Sequence, residues 1–129
     1  MAKILVVDDS NTLRSQLREE LTTAGYSVLE AEDGAVALGV MEKTPDVDLI
    51  ICDVNMPVMD GITFITQLTQ KVGGPKYPVL MLTTEAGSEL KAQAKSLGVV
   101  AWITKPYVPE KLIPGVAKLL SRGPTAKAA

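Results

Sequence analysis

Five short apolar runs, near Ile4, Val28, Ile50, Leu80 and Val100, recur roughly every 20–30 residues along the chain. They are too short for buried helices, rich in β-branched residues and apolar on successive positions, which predicts strands covered on both faces. Helical patterns lie between them. Leu13, Leu17, Leu21 and Ala24 mark a first helix, which Gly25 stops. Ala37, Val40 and Met41 mark a second, with Asp33 as its N-cap. Ile62, Ile65, Leu68 and Val72 mark a third, ended by Gly73-Gly74. Leu90, Ala94 and Leu97 mark a fourth with Ser88 near its start, and Leu112, Val116 and Leu119 a fifth with Pro109 in its first turn. Strict strand–helix alternation predicts right-handed crossovers and an α/β fold: a doubly wound, five-stranded parallel sheet with five helices on its two faces. The common strand order for such a sheet is 2-1-3-4-5, with the ligand site at the carboxyl ends of strands one and three. One domain over residues 1–122 is expected, followed by a flexible tail, 123–129, that has no apolar periodicity. Pro114, inside the fifth pattern, removes a bond to the Glu110 carbonyl and is expected to kink that helix.

The run ILVVDD ends in Asp8 and Asp9, LIICD in Asp53, VLMLTT in Thr83, and VVAWITKP in Lys105 before Pro106. In a parallel sheet these five side chains share one edge. Singly, each suits a turn, a cap or a surface loop; jointly, three acids, a hydroxyl and an ammonium suit a cation and a phosphoryl group. Two carboxylates ~4 Å apart repel by about 4 kcal/mol at an effective dielectric of 20. The cluster must therefore shift a pKa or bind a metal. The chain has no histidine and one cysteine, Cys52, so histidine-based catalysis, a zinc site of the usual kind and an internal disulfide are all excluded. Oxygen ligands select a hard cation, and Mg2+ is the expectation. Asp53 is the best nucleophile, since a carboxylate can accept a phosphoryl group, with Lys105 and Thr83 placed to contact its oxygens.

Charge is divided unevenly. Residues 1–64 carry 12 acids and 4 bases, residues 65–129 carry 3 acids and 9 bases. The acidic half holds the proposed cation site, and the basic half offers a surface to an acidic partner. No stretch approaches the ~20 apolar residues of a membrane span, and the N-terminus lacks secretory-signal features. A cytoplasmic protein without membrane or nucleic-acid partners, monomeric by default, is the expectation.

The segments VVDDS (6–10), DVNMPVMDG (53–61), MLTTE (81–85) and Lys105-Pro106 together resemble the receiver domain of bacterial two-component response regulators, over roughly residues 3–121. The resemblance implies a flavodoxin-like, CheY-like fold. It implies Asp53 as phospho-acceptor, Asp9 as a direct Mg2+ ligand, Asp8 as one acting partly through water, and the Asn55 backbone carbonyl as a further ligand. Lys105 resembles the phosphoryl-contacting lysine, with a bond to Pro106 that is typically cis. Thr83 resembles the switch hydroxyl, and Trp102 stands at the aromatic switch position, where Tyr or Phe is commoner. Asn55 and Glu85 stand where the family tunes autodephosphorylation.

The stretch from Met81 to Pro106 is most similar to single-domain chemotaxis regulators of the CheY type. That implies a CheA-like sensor histidine kinase and the flagellar motor switch as partners, with a phosphatase as a further one. No output segment follows Leu120, so output by binding is expected, through a face bearing Lys91, Lys95, Trp102, Lys111 and Lys118. A phosphate sink or shuttle, or a regulator outside chemotaxis, would use the same site. An enzyme acting on external substrates is not expected: aspartate-dependent phosphohydrolases carry an acid two residues past the nucleophile, and that position here is Asn55. A flavin-binding module is disfavoured by the acids at the site loops.

Overall fold

The computed structural model describes residues 1–74 and 76–128, with side chains described as far as Ser121. Five strands, β1 (Lys3–Val7), β2 (Ser27–Ala31), β3 (Leu49–Cys52), β4 (Val79–Thr83) and β5 (Val99–Thr104), alternate with α1 (Asn11–Thr23), α2 (Gly34–Lys43), α3 (Gly61–Val72), α4 (Ser88–Lys95) and α5 (Pro109–Ala128). All strand pairings are parallel, in the order β2-β1-β3-β4-β5. This is the doubly wound sheet the alternation predicts. The expected tail, 123–129, falls where side chains are not described.

Successive residues of each central strand enter opposite cores. Leu5, Val7, Ile50, Cys52, Val79 and Met81 pack with Phe64, Ile65 and Leu68 of α3, Met41 of α2 and Ala94 of α4. Ile4, Val6, Leu49, Ile51, Leu80 and Leu82 pack with Leu17 and Leu21 of α1 and Leu112 and Val116 of α5. Apolar side chains must therefore fill both faces, which is why the runs show no alternation. Phe64 is fully buried, and its truncation to Ala would cost about 3–5 kcal/mol.

Local chemistry sets the helix ends at the carboxyl edge of the sheet. Ser10, Asp33 and Asp60 cap α1, α2 and α3 by accepting from the amides of Leu13, Val36 and Thr63 at 3.2, 2.9 and 2.7 Å. Gly25, at φ 99°, follows the Ala24 C-cap and ends α1 where expected. α4 is shorter than its periodicity predicts: it stops at Lys95, and Leu97 lies in the following turn, where it still packs on the core. α5 runs on through Pro114, whose ring and the bereft Glu110 carbonyl belong to exposed residues, so water can satisfy that oxygen.

Two irregularities adjust the frame. The β4–β5 register passes from Val79↔Val99 to Leu80↔Ala101, so Val100 is bulged out, 47% exposed, and both Val99 and Trp102 turn to the α4 side. In the β3–α3 loop the Met59 amide donates to the Pro57 carbonyl at 2.7 Å across Val58, whose φ is 66°. This is a strained γ-turn at a β-branched residue. The loop is also tied down by the Gly34 amide, which donates to the Met59 carbonyl at 3.0 Å.

Candidate functional site

β1 and β3 are buried along nearly their whole length, and the residues that follow them carry the acids. Asp8 and Asp53 are themselves buried, at 2% and 6% exposure, while Asp9 is exposed. Carboxylate oxygens of all three lie within 4.8 Å of one another. Asp53 sits on a tight support. Its amide donates to the Val7 carbonyl at 3.0 Å, and Gly61 lies against its carbonyl so closely that a Cβ there would stand 2.0 Å from the oxygen. Glycine is therefore required at the start of α3 by the Asp53 backbone itself.

Lys105 reaches across from the end of β5. Its Nζ donates to Asp8 Oδ2 and to Asp53 Oδ2, each at 2.8 Å. The Lys105-Pro106 peptide bond is cis, and the Lys105 amide donates to the Thr83 carbonyl at 2.9 Å. One ammonium between two carboxylates offsets the repulsion that three clustered acids create. Burial pushes the Asp8 carboxyl above its ordinary value, against the bond from Lys105, which pulls it down. Burial opposes the charge on Lys105 as well, but the bonds to Asp53 and Asp8 outweigh it and the ammonium is held above its usual range. The Cys52 thiol beneath the site is pushed well up by burial and by Asp53, and so takes no part as a thiolate.

The other predicted residues divide into two groups. Thr83 is fully buried at the end of β4, and its hydroxyl accepts from the Glu85 amide at 3.3 Å. The Asn55 side-chain amide donates to Glu85 Oε2 at 2.8 Å, and the Asn55 backbone amide donates to Asp53 Oδ1 at 3.3 Å, so both flanking residues lie at the site. Trp102 packs on the α4 side: its indole N–H donates to the Glu85 carbonyl at 2.8 Å, and the Lys91 ammonium stands 5.8 Å from its ring centre. Lys91, Lys95 and Trp102 line one open groove between α4 and β5. Lys111 and Lys118 are exposed on α5.

Sequence reasoning missed Arg14 and Glu30. The Arg14 guanidinium donates to the Asp8 backbone carbonyl, to Asn11 Oδ1 and, at 3.2 Å, to Glu30 Oε1; Arg18 donates to the other Glu30 oxygen. An arginine one turn into a helix carries no distinguishing signal in a single sequence.

The donor set is all oxygen, compact and anionic, which fits a hard divalent cation held by Asp8, Asp9 and Asp53. A phosphoryl group would find the Lys105 ammonium and the Asn55 backbone amide beside the Asp53 carboxylate. The family profile for the response regulator receiver domain matches residues 4–117. The chain belongs to that family. This receiver domain is 37% identical over 122 residues to a chemotaxis protein CheY homolog of Campylobacter jejuni, covering 94% of each chain. The structure of CheY4 from Vibrio cholerae superposes with a TM-score of 0.85 at 41% identity, covering 92% of this chain and 98% of that one. A complex of CheX and CheY with BeF3 and magnesium from Borrelia burgdorferi gives 0.84 at 27% identity, covering 92% and 88%. The receiver domain is thus CheY-like and of the two-component signalling class. Among its described residues, no helix is long and apolar enough to cross a membrane.

Proposed function

We propose that this receiver domain, residues 1–122, is a phosphorylation switch that takes a phosphoryl group from a histidine kinase onto Asp53 and thereby changes its binding of a downstream protein. The observation that carries this reading is the single ammonium of Lys105 shared by Asp53 and Asp8 at 2.8 Å within a three-carboxylate cluster. Asp8, Asp9, Asp53 and the Asn55 backbone carbonyl would hold Mg2+. Bound there, the cation neutralises charge on the phosphoryl oxygens. An Asp53 oxygen attacks phosphorus, the bond from phosphorus to the donor's leaving nitrogen breaks, and an aspartyl phosphate remains. Lys105 leaves its bridge between the acids to meet one phosphoryl oxygen, and the Thr83 hydroxyl meets another. Asn55 and Glu85, bonded to each other over the acceptor, set how readily water reaches the product.

Moving Thr83 disturbs Glu85, and Glu85 holds Trp102 through its carbonyl. The change therefore reaches the face of Trp102, Lys91 and Lys95, with Lys111 and Lys118 on α5. A basic face suits an acidic partner surface. The relatives named as chemotaxis proteins favour a CheA-like kinase, the flagellar motor switch and a dedicated phosphatase as partners of a cytoplasmic monomer.

Intact mass after incubation with Mg2+ and a small acyl phosphate tests the chemistry. One added phosphoryl group is expected in the native protein only with the metal, and none in Asp53→Asn. No gain in a folded, metal-loaded protein sinks the reading.

A further inference from the structure

Every polar group of Asp8 is engaged. Its amide donates to the Ala31 carbonyl at 3.1 Å, Oδ1 accepts from the Ser10 amide at 2.9 Å, Oδ2 accepts from Lys105 at 2.8 Å, and its carbonyl accepts from Arg14. Asp9 differs. It is exposed, and among the described residues no hydrogen bond or ion pair reaches its carboxylate. What keeps that carboxylate within 4.8 Å of its neighbours is therefore its backbone, and the peptide leading into Asp9 is the one whose oxygen Arg14 holds.

Arg14 is suited to that task. Only 12% of its side chain is exposed, and its guanidinium makes three bonds in different directions: to Asp8, to Asn11 and to Glu30. Glu30 lies on β2, the strand paired with β1, and accepts from Arg18 with its second oxygen. Bonds to Arg18 and Arg14 hold the Glu30 carboxyl below its ordinary range, so it stays ionised. The fork is thus fixed from a neighbouring strand and from the first turn of α1, and it fixes the loop in turn. An arginine is needed here because only a planar fork reaches several acceptors at once.

We infer that Arg14 is a positioning residue for the cation site, orienting Asp9 through the Asp8–Asp9 peptide. The inference rests on the proposed role of the acids as Mg2+ ligands. It makes a prediction opposite in sign to simple electrostatics. A cation beside an acidic cluster repels a bound divalent ion, so deleting its charge should strengthen metal binding. If orientation dominates, deleting it should weaken binding, as the loss of groups behind metal ligands typically does, by about 10–100-fold.

Calorimetric titration of the protein with Mg2+, and with Mn2+ as a tighter probe, decides between these. Arg14→Ala is expected to bind roughly tenfold more weakly. Arg14→Lys, which keeps the charge but loses the fork, is expected to bind more weakly too, and serves alone if Arg14→Ala does not fold. Urea unfolding in EDTA, run beside each titration, separates the loss of affinity from any general loss of stability. Affinity unchanged or increased in the folded variant, while the native chain binds the metal, overturns the assignment of Arg14 and leaves the acids as ligands. No binding by the native chain, nor any weakened by Asp9→Asn, overturns both the ligand reading and this one.

Discussion

In α3, Asp60 caps the first turn through its side chain and Gly73 closes the last; α4, eight residues long, begins at Gly87 with no side-chain cap. The strands beside them differ in the same way. Every residue of β3 is buried, whereas β5, at the sheet edge, buries only Val99, and Val100 bulges into solvent. Asp53, the proposed acceptor, is thus mounted on the tightly packed side, and Trp102 on the loosely packed one. Short, uncapped, half-exposed elements open at low free-energy cost. A site that places three carboxylates and an ammonium needs the first kind of support, and under the proposed switch a surface that changes shape on a small signal needs the second.

Two glycines test that contrast. At Gly61 a methyl group would stand 2.0 Å from the Asp53 carbonyl oxygen, with Cys52 Sγ 3.0 Å away on another side, and neither backbone nor buried sulfur can yield cheaply. Gly61→Ala is therefore expected to cost about 3 kcal/mol or more in urea unfolding, and to displace Asp53 in any fraction that folds. A loss under about 1 kcal/mol would show that the loop between β3 and α3 is far softer than its packing implies.

A smaller effect, opposite in sign, comes from the acids. Burial raises the Asp8 carboxyl above 3.8, with Asp53 adding to the rise and Lys105 opposing it. A carboxyl raised in this way holds its proton more tightly folded than unfolded. Its contribution to stability therefore falls as pH climbs through the folded pKa and stays unfavourable at neutrality. Asp8→Asn should raise the urea midpoint at pH 7 in EDTA, and the two proteins should converge as pH falls toward 3.8. Equal midpoints at pH 7 would mean that Lys105 fully compensates the acid. With Mg2+ in excess the advantage should shrink if Asp8 is the ligand proposed, because the native chain alone then keeps every acid of the site.

The tightly packed side was the more legible one in the sequence. Runs such as ILVV and LIIC are buried on both faces and could be little else, and their terminal acids fall at the switch point by topology. Caps such as Asp33, and the stop at Gly25, are readable because they act within a few residues. The failures lie where distant residues meet. Leu97 kept helical spacing and core contact although α4 had ended, because apolar periodicity reports burial and not hydrogen bonding. The bulge at Val100 depends on the β4 register, and the strained turn at Val58 on a loop held by Gly34. Lys105 meets Asp8 and Asp53 as the shared sheet edge predicts, although 97 and 52 positions separate them, but the Arg14–Glu30 pair joins a helix to a strand with no such topological cue. Nothing local announces such pairs.

Gly87 is the counterpart of Gly61 on the other side, and gives the smallest of these effects. It occupies the N-cap of α4 with φ −64° and ψ 138°, a conformation open to any residue, and a Cβ there would meet nothing within 4 Å. Gly87→Ser supplies the missing acceptor for the first-turn amides and narrows the unfolded chain's freedom, together worth about 0.5–1 kcal/mol. The gain should be local: hydrogen exchange should slow at the α4 amides and stay unchanged in α3, which is already capped at both ends. Uniform slowing across both helices would mean that α4 opens only with the whole molecule, and the contrast between the two sides would then be one of packing without any difference in mobility. Slowing confined to α4 would show that this helix opens on its own, and that its missing cap sets how often.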